Sequence, residues 1–244
     1  MEFVPVPISG GPDAGQPLLF SIWPTRVQDY RKYAGASAGV DGSWQKTGFR
    51  QGDAHPVVRV SWQDAVAFCE WLTRVERGAG GIPPAATYRL PTDHEWSCAV
   101  GIGQREHAAE TPLSKDGKLV DDFPWGSGWP PPAGAGNYEG KLQADPYPHT
   151  SPVGSFAPNP AGIFDLGGNV WEWCEDRYCA DEPWRVLRGA SWNDAGRLYL
   201  TCCCRIGNQP SMRNTDSGFR CVLALPPSRR RCRPLGGHLS VTGT

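Results

Sequence analysis

One stretch of the sequence, residues 162 to 173, constrains the fold more than any other. Two adjacent glycines, Gly167 and Gly168, can adopt positive φ at no steric cost and predict a tight turn. The alternating residues 170 to 173 after the turn predict a strand with one buried face and one solvent face. Asp165 and Glu172 flank the turn. Such a turn can offer carbonyl and carboxylate oxygens to a hard cation, or it can be purely structural with two solvated acids.

The composition is typical of a folded, turn-rich protein. The 244 residues include 30 Gly, 24 Pro and 11 Trp, and 39% of them are hydrophobic, which is unlike a disordered chain. This length is enough for one substantial core, although two domains would also fit it. Because the net charge is -1, the chain as a whole has no electrostatic bias toward nucleic acid or membranes.

The N-terminal residues and the cysteines indicate a compartment. Residues 1 to 5 lack the basic and apolar segments of a signal peptide, and no apolar run approaches the roughly 20 residues of a membrane span. The nine cysteines include three consecutive ones, Cys202 to Cys204, and adjacent cysteines rarely pair with each other. We therefore expect a soluble protein made in the cytoplasm, without signal peptide or membrane insertion and with mostly free thiols. Display on a cell or virion surface would then require a partner.

Two capping boxes predict the two main helices. Ser61 and Asp64 open an apolar stripe that predicts a helix near residues 62 to 77. Thr92 and Glu95 open a second helix near residues 93 to 100. A short helix and three core strands complete the prediction, at residues 25–34, 18–22, 186–189 and 218–223.

The remaining segments predict loops and a tail. Residues 101 to 160 carry much Gly and Pro and little periodicity, which predicts a long irregular region. Residues 226 to 244 predict a flexible basic tail with an arginine run at 229–233. A solvated tail is the preferred interpretation of that run, and nucleic-acid contact is the alternative.

Nine short motifs stand out along the sequence: Val60–Ala65, Cys69–Leu72, Tyr88–Thr92, Glu95–Trp96, Phe123–Gly126, Pro152–Gly154, Gly168–Trp173, Arg188–Trp192 and Gly218–Arg220. They occur in the same order in the formylglycine-generating enzyme (sulfatase-modifying factor) family. The sequence from about residue 2 to residue 225 resembles this family along its length. The resemblance implies an α+β fold: a single, loop-rich C-type-lectin-like domain over residues 1–225, with two main helices and short antiparallel strands.

The family includes copper-dependent oxidases that convert a sulfatase cysteine to formylglycine, iron-dependent sulfoxide synthases, and non-enzymatic proteins. Fold alone does not choose among these branches. The oxidases hold copper with two cysteines five residues apart, and thiolate pairs suit Cu(I). The positions five residues before Cys202–Cys204 are Arg197–Tyr199, so that pair is absent here. The five histidines are scattered through loops, and the helical domain of the sulfoxide synthases has no counterpart.

The non-enzymatic branch includes the variable proteins of diversity-generating retroelements. In those proteins the diversified positions lie between an Arg-Gly-x-Ser-Trp and a Gly-Phe-Arg motif, and residues 191–220 follow that frame. Adenine-directed mutagenesis of AAY codons can produce fifteen residue types but never Trp, Met, Gln, Lys or Glu. Between residues 193 and 217 only Gln209 and Met212 are of these types. We interpret the consecutive cysteines as an arbitrary outcome of diversification, with buried small hydrophobic residues as the alternative.

The resemblance therefore favours a non-catalytic ligand-binding protein whose region 193–217 is diversified by a retroelement. The alternative is a copper-dependent formylglycine-generating oxidase. We expect a monomer that binds a protein or glycan ligand and no nucleic acid. The predicted ligand-binding residues are Asn193, Asp194, Leu198, Tyr199, Thr201, Cys202, Cys204, Ile206, Asn208, Ser211, Asn214, Thr215 and Asp216.

The resemblance also implies structural Ca²⁺ at two sites. Both sets combine side-chain and carbonyl oxygens, which are the donors that Ca²⁺ prefers, and a bound ion would cross-link long loops. The first set comprises the side chains of Asp165 and Glu172 with the carbonyls of Gly168 and Val170. The second set comprises the side chains of Asn137 and Asp145 with the carbonyls of Tyr138 and Tyr147.

Overall fold

Eight short strands form two four-stranded sheets in the computed structural model, which describes residues 1–12, 14–16 and 18–226. Four α-helices and three 3₁₀ turns connect them. The strands are β1 (Phe3–Val6), β2 (Leu18–Ser21), β3 (Thr87–Arg89), β4 (Trp171–Arg177), β5 (Arg185–Arg188), β6 (Ile206–Asn208), β7 (Ser217–Gly218) and β8 (Val222–Ala224). The helices are α1 (Val27–Ala36), α2 (Trp62–Gly78), α3 (Asp93–Val100) and α4 (Pro112–Lys115), and the 3₁₀ turns are Gly42–Gln45, Gly103–Arg105 and Gly140–Leu142.

The first sheet brings distant parts of the chain together. Its order is β1-β2-β8-β3, and all of its pairings are antiparallel. Strand β8 is central, with Val222 opposite Phe20 of β2 and Leu223 opposite Tyr88 of β3. The last strand therefore closes the sheet that the first strands begin.

The second sheet carries the segments that the sequence motifs mark. Its order is β6-β5-β4-β7, antiparallel except for the parallel β4–β7 pair. Trp171 and Trp173 of β4 belong to the large core cluster, while Cys174 packs with Trp96 of α3 in a second cluster. Both faces of this strand are buried, so the prediction of one solvent face is wrong. The alternation of Glu172 with tryptophans reflects a buried ion pair on the second face.

The two main helices begin where the capping boxes predict. The hydroxyl of Ser61 accepts a hydrogen bond from the N–H of Asp64, whose carboxylate accepts one from the N–H of Ser61. Thr92 and Glu95 form the same reciprocal pair at the start of α3. Each box satisfies two N–H groups that a helix start leaves free. Helix α3 ends at Gly101, which has φ 98°.

Long connections dominate between α3 and β4. Residues 101–170 contain only α4 and two 3₁₀ turns, which confirms the predicted irregular region. The arrangement as a whole is the expected loop-rich, α+β, C-type-lectin-like fold. Among the described residues, no helix is both long and apolar enough to cross a membrane. The predicted tail lies outside the described residues apart from residue 226, and so does its arginine run.

Candidate functional site

Two buried arginines hold the main chain of residues 202–204 in place. Arg188 donates from Nε to the carbonyl oxygen of Cys204 at 3.0 Å and from Nη2 to that of Cys202 at 2.8 Å. Arg205 donates from Nη1 to the carbonyl oxygen of Cys203 at 2.7 Å. Each contact uses a backbone oxygen, so the anchoring itself does not require a particular side chain at residues 202–204.

Acidic groups neutralise these arginines in the interior. The carboxylate of Asp93, the first residue of α3, binds Arg188, Arg205 and Lys115, and Glu106 binds Arg205 at 2.6 Å. Burial alone would raise the pKa of Asp93, but the attraction of Arg188, Arg205 and Lys115 outweighs burial and lowers it. Three cations and two carboxylates therefore form one buried charge network beneath residues 202–204.

The three consecutive cysteines lie in the core. Their side chains are at most 8% exposed, and burial raises the pKa of the Cys202 and Cys204 thiols to about 12. Thr201 is also buried and donates from Oγ1 to the carbonyl oxygen of Leu198 at 2.8 Å. Thr201, Cys202 and Cys204, which were predicted to present side chains to a ligand, therefore expose little of their surface. The alternative interpretation of the cysteines, as small hydrophobic residues, is the one that their burial supports.

The residues just before the cysteines form an exposed tip. Leu198 is 61% exposed and Tyr199 is 51% exposed, which is unusual for large apolar side chains. Beside them lies a groove of about 760 Å³, within the size range of ligand sites. Its lining includes five of the predicted residues, namely Leu198, Tyr199, Ile206 and the surface edges of Thr201 and Cys204.

Another part of the groove wall consists of residues outside region 193–217. Tyr178 and Trp184 flank the turn between β4 and β5, and Asp116 and Val120 follow α4. The sequence prediction missed this wall because it follows from tertiary packing. The sequence did contain one signal for these residues. Two aromatic residues, Tyr178 and Trp184, flank a polar turn between two segments with the sequence character of strands.

The other predicted ligand-binding residues are scattered over the segments before β6 and after it. Asn193 and Ser211 are exposed, while Asp194, Asn208, Asn214, Thr215 and Asp216 are partly buried. The carboxylate of Asp194 accepts hydrogen bonds from the N–H and hydroxyl of Ser191, so it stabilises a turn. Four backbone carbonyls of this region also accept hydrogen bonds from other parts of the chain. Those of residues 210, 214 and 216 accept from the backbone N–H groups of Trp62, Arg59 and Trp171, in that order. That of residue 215 accepts from Trp192 Nε1.

In the first predicted calcium site, one of the two acids forms an ion pair with an arginine. The buried carboxylate of Glu172 binds Arg220 at 2.5 and 2.6 Å and accepts a hydrogen bond from Trp96 Nε1 at 3.0 Å. A guanidinium that already neutralises this carboxylate repels a second cation, which disfavours Glu172 as a ligand. Asp165 accepts a hydrogen bond from the N–H of Gly154, and burial raises its pKa to about 6. The other two residues of this set, Gly168 and Val170, are buried in the turn.

The second predicted calcium site fits a cation better. The carboxylate of Asp145 accepts hydrogen bonds from the N–H groups of Tyr138 and Tyr147 at 2.9 and 2.8 Å, which gathers the predicted ligands around one loop. Asn137 donates from Nδ2 to the carbonyl of His149, while its Oδ1 is buried without a hydrogen-bond partner. A buried amide oxygen without a partner is a suitable donor for Ca²⁺. Within the described ranges, no cluster of three or more His, Cys, Asp or Glu side chains is placed to bind a metal.

Several named proteins are similar in sequence to this chain over most of its length. The inactive C-alpha-formylglycine-generating enzyme 2 of Bos taurus is 36% identical, over 86% of this chain and 61% of the relative. The formylglycine-generating enzyme of Streptomyces coelicolor is 30% identical, over 87% of this chain and 62% of the relative. The chain thus spans about three fifths of the length of these relatives.

Solved structures share the fold at lower identity. The Treponema denticola variable protein 1 superposes with a TM-score of 0.61 and 23% identity, over 91% of this chain and 95% of the other. PvdO from Pseudomonas aeruginosa gives a TM-score of 0.61 at 20% identity, over 92% of each chain. The model of the sulfatase-modifying factor enzyme 1-like domain matches residues 23–225, which is most of the sequence. The chain therefore belongs to the sulfatase-modifying factor enzyme 1-like family.

Proposed function

We propose that the protein is a non-catalytic ligand-binding protein whose surface between residues 193 and 217 is diversified by a retroelement. The observation that carries this proposal is the way in which the segment is held. Arg188 and Arg205 bind three consecutive backbone carbonyls at residues 202–204, and four further carbonyls between residues 210 and 216 are held by other parts of the chain.

Backbone anchoring suits a surface whose side chains change. A carbonyl oxygen is present whatever side chain its residue carries, so the anchors would survive substitution at the residues that carry these carbonyls. Arg205 anchors through its own side chain and would have to stay constant. The tip residues Leu198 and Tyr199 project from this fixed backbone into solvent. A rigid backbone lowers the entropy cost of ordering a binding surface, and exposed aromatic residues supply much contact area with few rotatable bonds.

The burial of individual side chains limits which of the predicted ligand-binding residues could vary in a binding surface. Buried side chains at Thr201, Cys202 and Cys204 are poor candidates, because a larger or charged residue there would disturb the core. The better candidates are the exposed and partly exposed members, namely Asn193, Leu198, Tyr199, Ile206, Asn208, Ser211, Asn214 and Thr215.

The alternative function, copper-dependent oxidation of a sulfatase cysteine, has less support. The cysteine pair spaced by five residues is absent, and Cys202 and Cys204 are buried. Two of the curated relatives, from Bos taurus and Mus musculus, carry the name of an inactive enzyme, and others carry the name of an active one.

Two experiments test this proposal. Sequencing of the native locus should find a near-copy of the 3′ coding region that differs at adenines, beside a reverse-transcriptase gene. The purified protein should leave a Cys-x-Pro-x-Arg peptide unchanged in the presence of copper and oxygen, as judged by mass spectrometry. Conversion of the peptide cysteine to formylglycine, together with a locus that lacks the near-copy, would establish the oxidase instead.

We also propose a structural Ca²⁺ ion held by the second predicted set, Asn137, Tyr138, Asp145 and Tyr147. The unpaired Oδ1 of Asn137 supports this choice, since a buried acceptor without a partner is costly. The ion would cross-link the two ends of the loop at residues 137–147. It would contribute stability and no chemistry.

A further inference from the structure

The groove beside Leu198 has two walls of different origin. Leu198, Tyr199 and Ile206 belong to the region that we propose to vary, and they form one wall. Asp116, Val120, Tyr178 and Trp184 lie outside that region and form the other. In the proposed function the second wall is constant, so it would set a property shared by every ligand that the groove accepts.

Aromatic rings line both walls. A Cβ atom at Gly207 of β6 would lie 2.6 Å from Tyr178 Cδ1 and 3.0 Å from Trp184 Cε3, so both rings lie directly against the strand backbone. On the facing wall Tyr199 packs over Gly196, where a Cβ would lie 2.9 Å from its ring. The groove therefore offers three aromatic rings, and the Tyr199 ring is half exposed.

The charges around the groove leave one acid without a cation. Arg205 is bound by Asp93 and Glu106, and Arg197 is paired with Asp121. Asp116 accepts a hydrogen bond from the N–H of Arg205 and, across the described part of the chain, forms no ion pair. The turn between Tyr178 and Trp184 adds two exposed acids, Asp181 and Glu182.

The negative charge of Asp116 acts on the aromatic wall. Burial raises the pKa of the Tyr178 hydroxyl, and the nearby carboxylate of Asp116 raises it further. Aromatic faces attract cations through their quadrupole, and the attraction is stronger where water is excluded. An aromatic groove with one unneutralised carboxylate is therefore complementary to an organic cation that has an apolar stem.

We propose that the groove binds a lysine side chain of a protein ligand, with the ammonium toward Asp116 and the aromatic rings and the alkyl stem along Leu198 and Ile206. This inference rests on the proposed function, because it takes the ligand to be a protein that the variable wall selects. The groove, at about 760 Å³, is much larger than one side chain, so residues next to the lysine enter it as well. The constant wall supplies the lysine preference, and the variable wall distinguishes one lysine-bearing surface from another.

The test uses the full chain and two matched probes. n-Butylammonium reproduces the lysine side chain, and n-butanol is its neutral counterpart of similar length. NMR titrations follow the indole N–H signal of Trp184, assigned with a Trp184→Phe variant. We expect n-butylammonium to bind about tenfold more tightly than n-butanol, the scale of one desolvated cation–π contact with a nearby carboxylate. Equal affinities would overturn the proposal.

Two variants distinguish the effect of the Asp116 carboxylate on binding from a general effect of negative charge. Asp116→Asn keeps an oxygen for the Arg205 N–H, so the fold should survive while the affinity for n-butylammonium falls about tenfold. The affinity for n-butanol should not change. Glu70→Gln removes an exposed acid of α2 outside the groove and should change neither affinity. An Asp116→Asn protein that keeps the full preference for n-butylammonium would contradict the inference.

Binding of a lysine-containing peptide tests whether the ammonium group in the groove comes from a protein ligand. An acetylated and amidated Ala-Leu-Lys-Leu-Ala peptide should bind more tightly than n-butylammonium, because its neighbouring residues also contact the groove. Weaker binding of the peptide would contradict a protein ligand. Loss of the lysine preference in a protein whose locus carries the adenine-diversified near-copy would overturn this inference alone. A preserved preference without such a near-copy would overturn the proposed function alone.

Discussion

The guanidinium of Arg205 and the carboxylate of Asp93 form a buried two-point ion pair. Nε lies 2.8 Å from Oδ1, and Nη2 lies 3.2 Å from Oδ2. The pair joins the first residue of α3 to the segment that leads into β6. Since Arg205 also holds the carbonyl of Cys203, this ion pair lies at the base of the proposed binding surface.

Asp93→Asn should destabilise the protein by about 3–5 kcal/mol at pH 7, because it leaves buried cations without their counter-charge. The pKa of Asp93 is lower in the folded state than its ordinary value of 3.8. Its stabilising contribution is therefore complete above about pH 4 and is lost as the pH falls further. Urea unfolding of both proteins should show a difference that shrinks below pH 4. Asp53→Asn, which removes an exposed ion pair with Arg31, is the control and should cost under about 1 kcal/mol at any pH.

Alanine substitutions should separate tip from core within the proposed variable region. Leu198→Ala and Tyr199→Ala remove exposed side chains and should each change the unfolding free energy by less than about 0.5 kcal/mol. Leu200→Ala, next in sequence but only 2% exposed, should cost about 2–5 kcal/mol. Chemical denaturation measures all three. A large loss of stability at Leu198 would show that the tip is structural and would weaken the proposed function.

Local signals made the helices predictable. The capping boxes at Ser61 and Thr92 involve residues three apart, so the sequence alone contains both partners. The strand β4 was mispredicted for the opposite reason. Its polar residue Glu172 suggested a solvent face, whereas its partner Arg220 lies 48 residues later in the chain. A long-range ion pair of this kind leaves no periodic trace in the sequence.

The candidate site was predictable only in part. The motif frame located the exposed tip at Leu198 and Tyr199, but it did not separate them from the buried cysteines that follow. That distinction depends on Arg188 and Arg205, which draw the backbone of residues 202–204 inward. The constant wall of the groove depends on packing against Gly207, and no local pattern encodes that contact.

The cysteines should differ sharply in reactivity. Although burial opposes ionisation, hydrogen bonds from His94 and Ser9 lower the pKa of the partly exposed Cys98 thiol. Cys202 and Cys204, with pKa values near 12, are almost entirely protonated at pH 8. Iodoacetamide at pH 8 should therefore alkylate Cys98 well before these two thiols, as followed by peptide mass spectrometry. Unfolded protein should lose this order, and early labelling of Cys202 and Cys204 in the native protein would favour the copper-binding alternative.

Calcium should raise the melting temperature through the loop that contains Asn137. An ion that binds only the folded state at about 100 times its dissociation constant contributes about 2.7 kcal/mol. We expect wild-type protein to melt several degrees higher in excess Ca²⁺ than in excess chelator, by differential scanning calorimetry. The same melting temperature in both solutions would rule out the ion.

Substitutions then assign the calcium response to one of the two predicted sites. Asn137→Ala removes the unpaired Oδ1, so the calcium-dependent part of the melting temperature should vanish even if the baseline also falls. The response should persist in Asp165→Asn, because Arg220 already neutralises Glu172, the other acid of the first site. Glu139→Gln, an exposed neighbour of the second site that is paired with Lys141, controls for nonspecific charge effects. A response kept in Asn137→Ala and lost in Asp165→Asn would move the ion to the turn at residues 165–172. Within the described residues, the carboxylate of Asp165 forms no ion pair there.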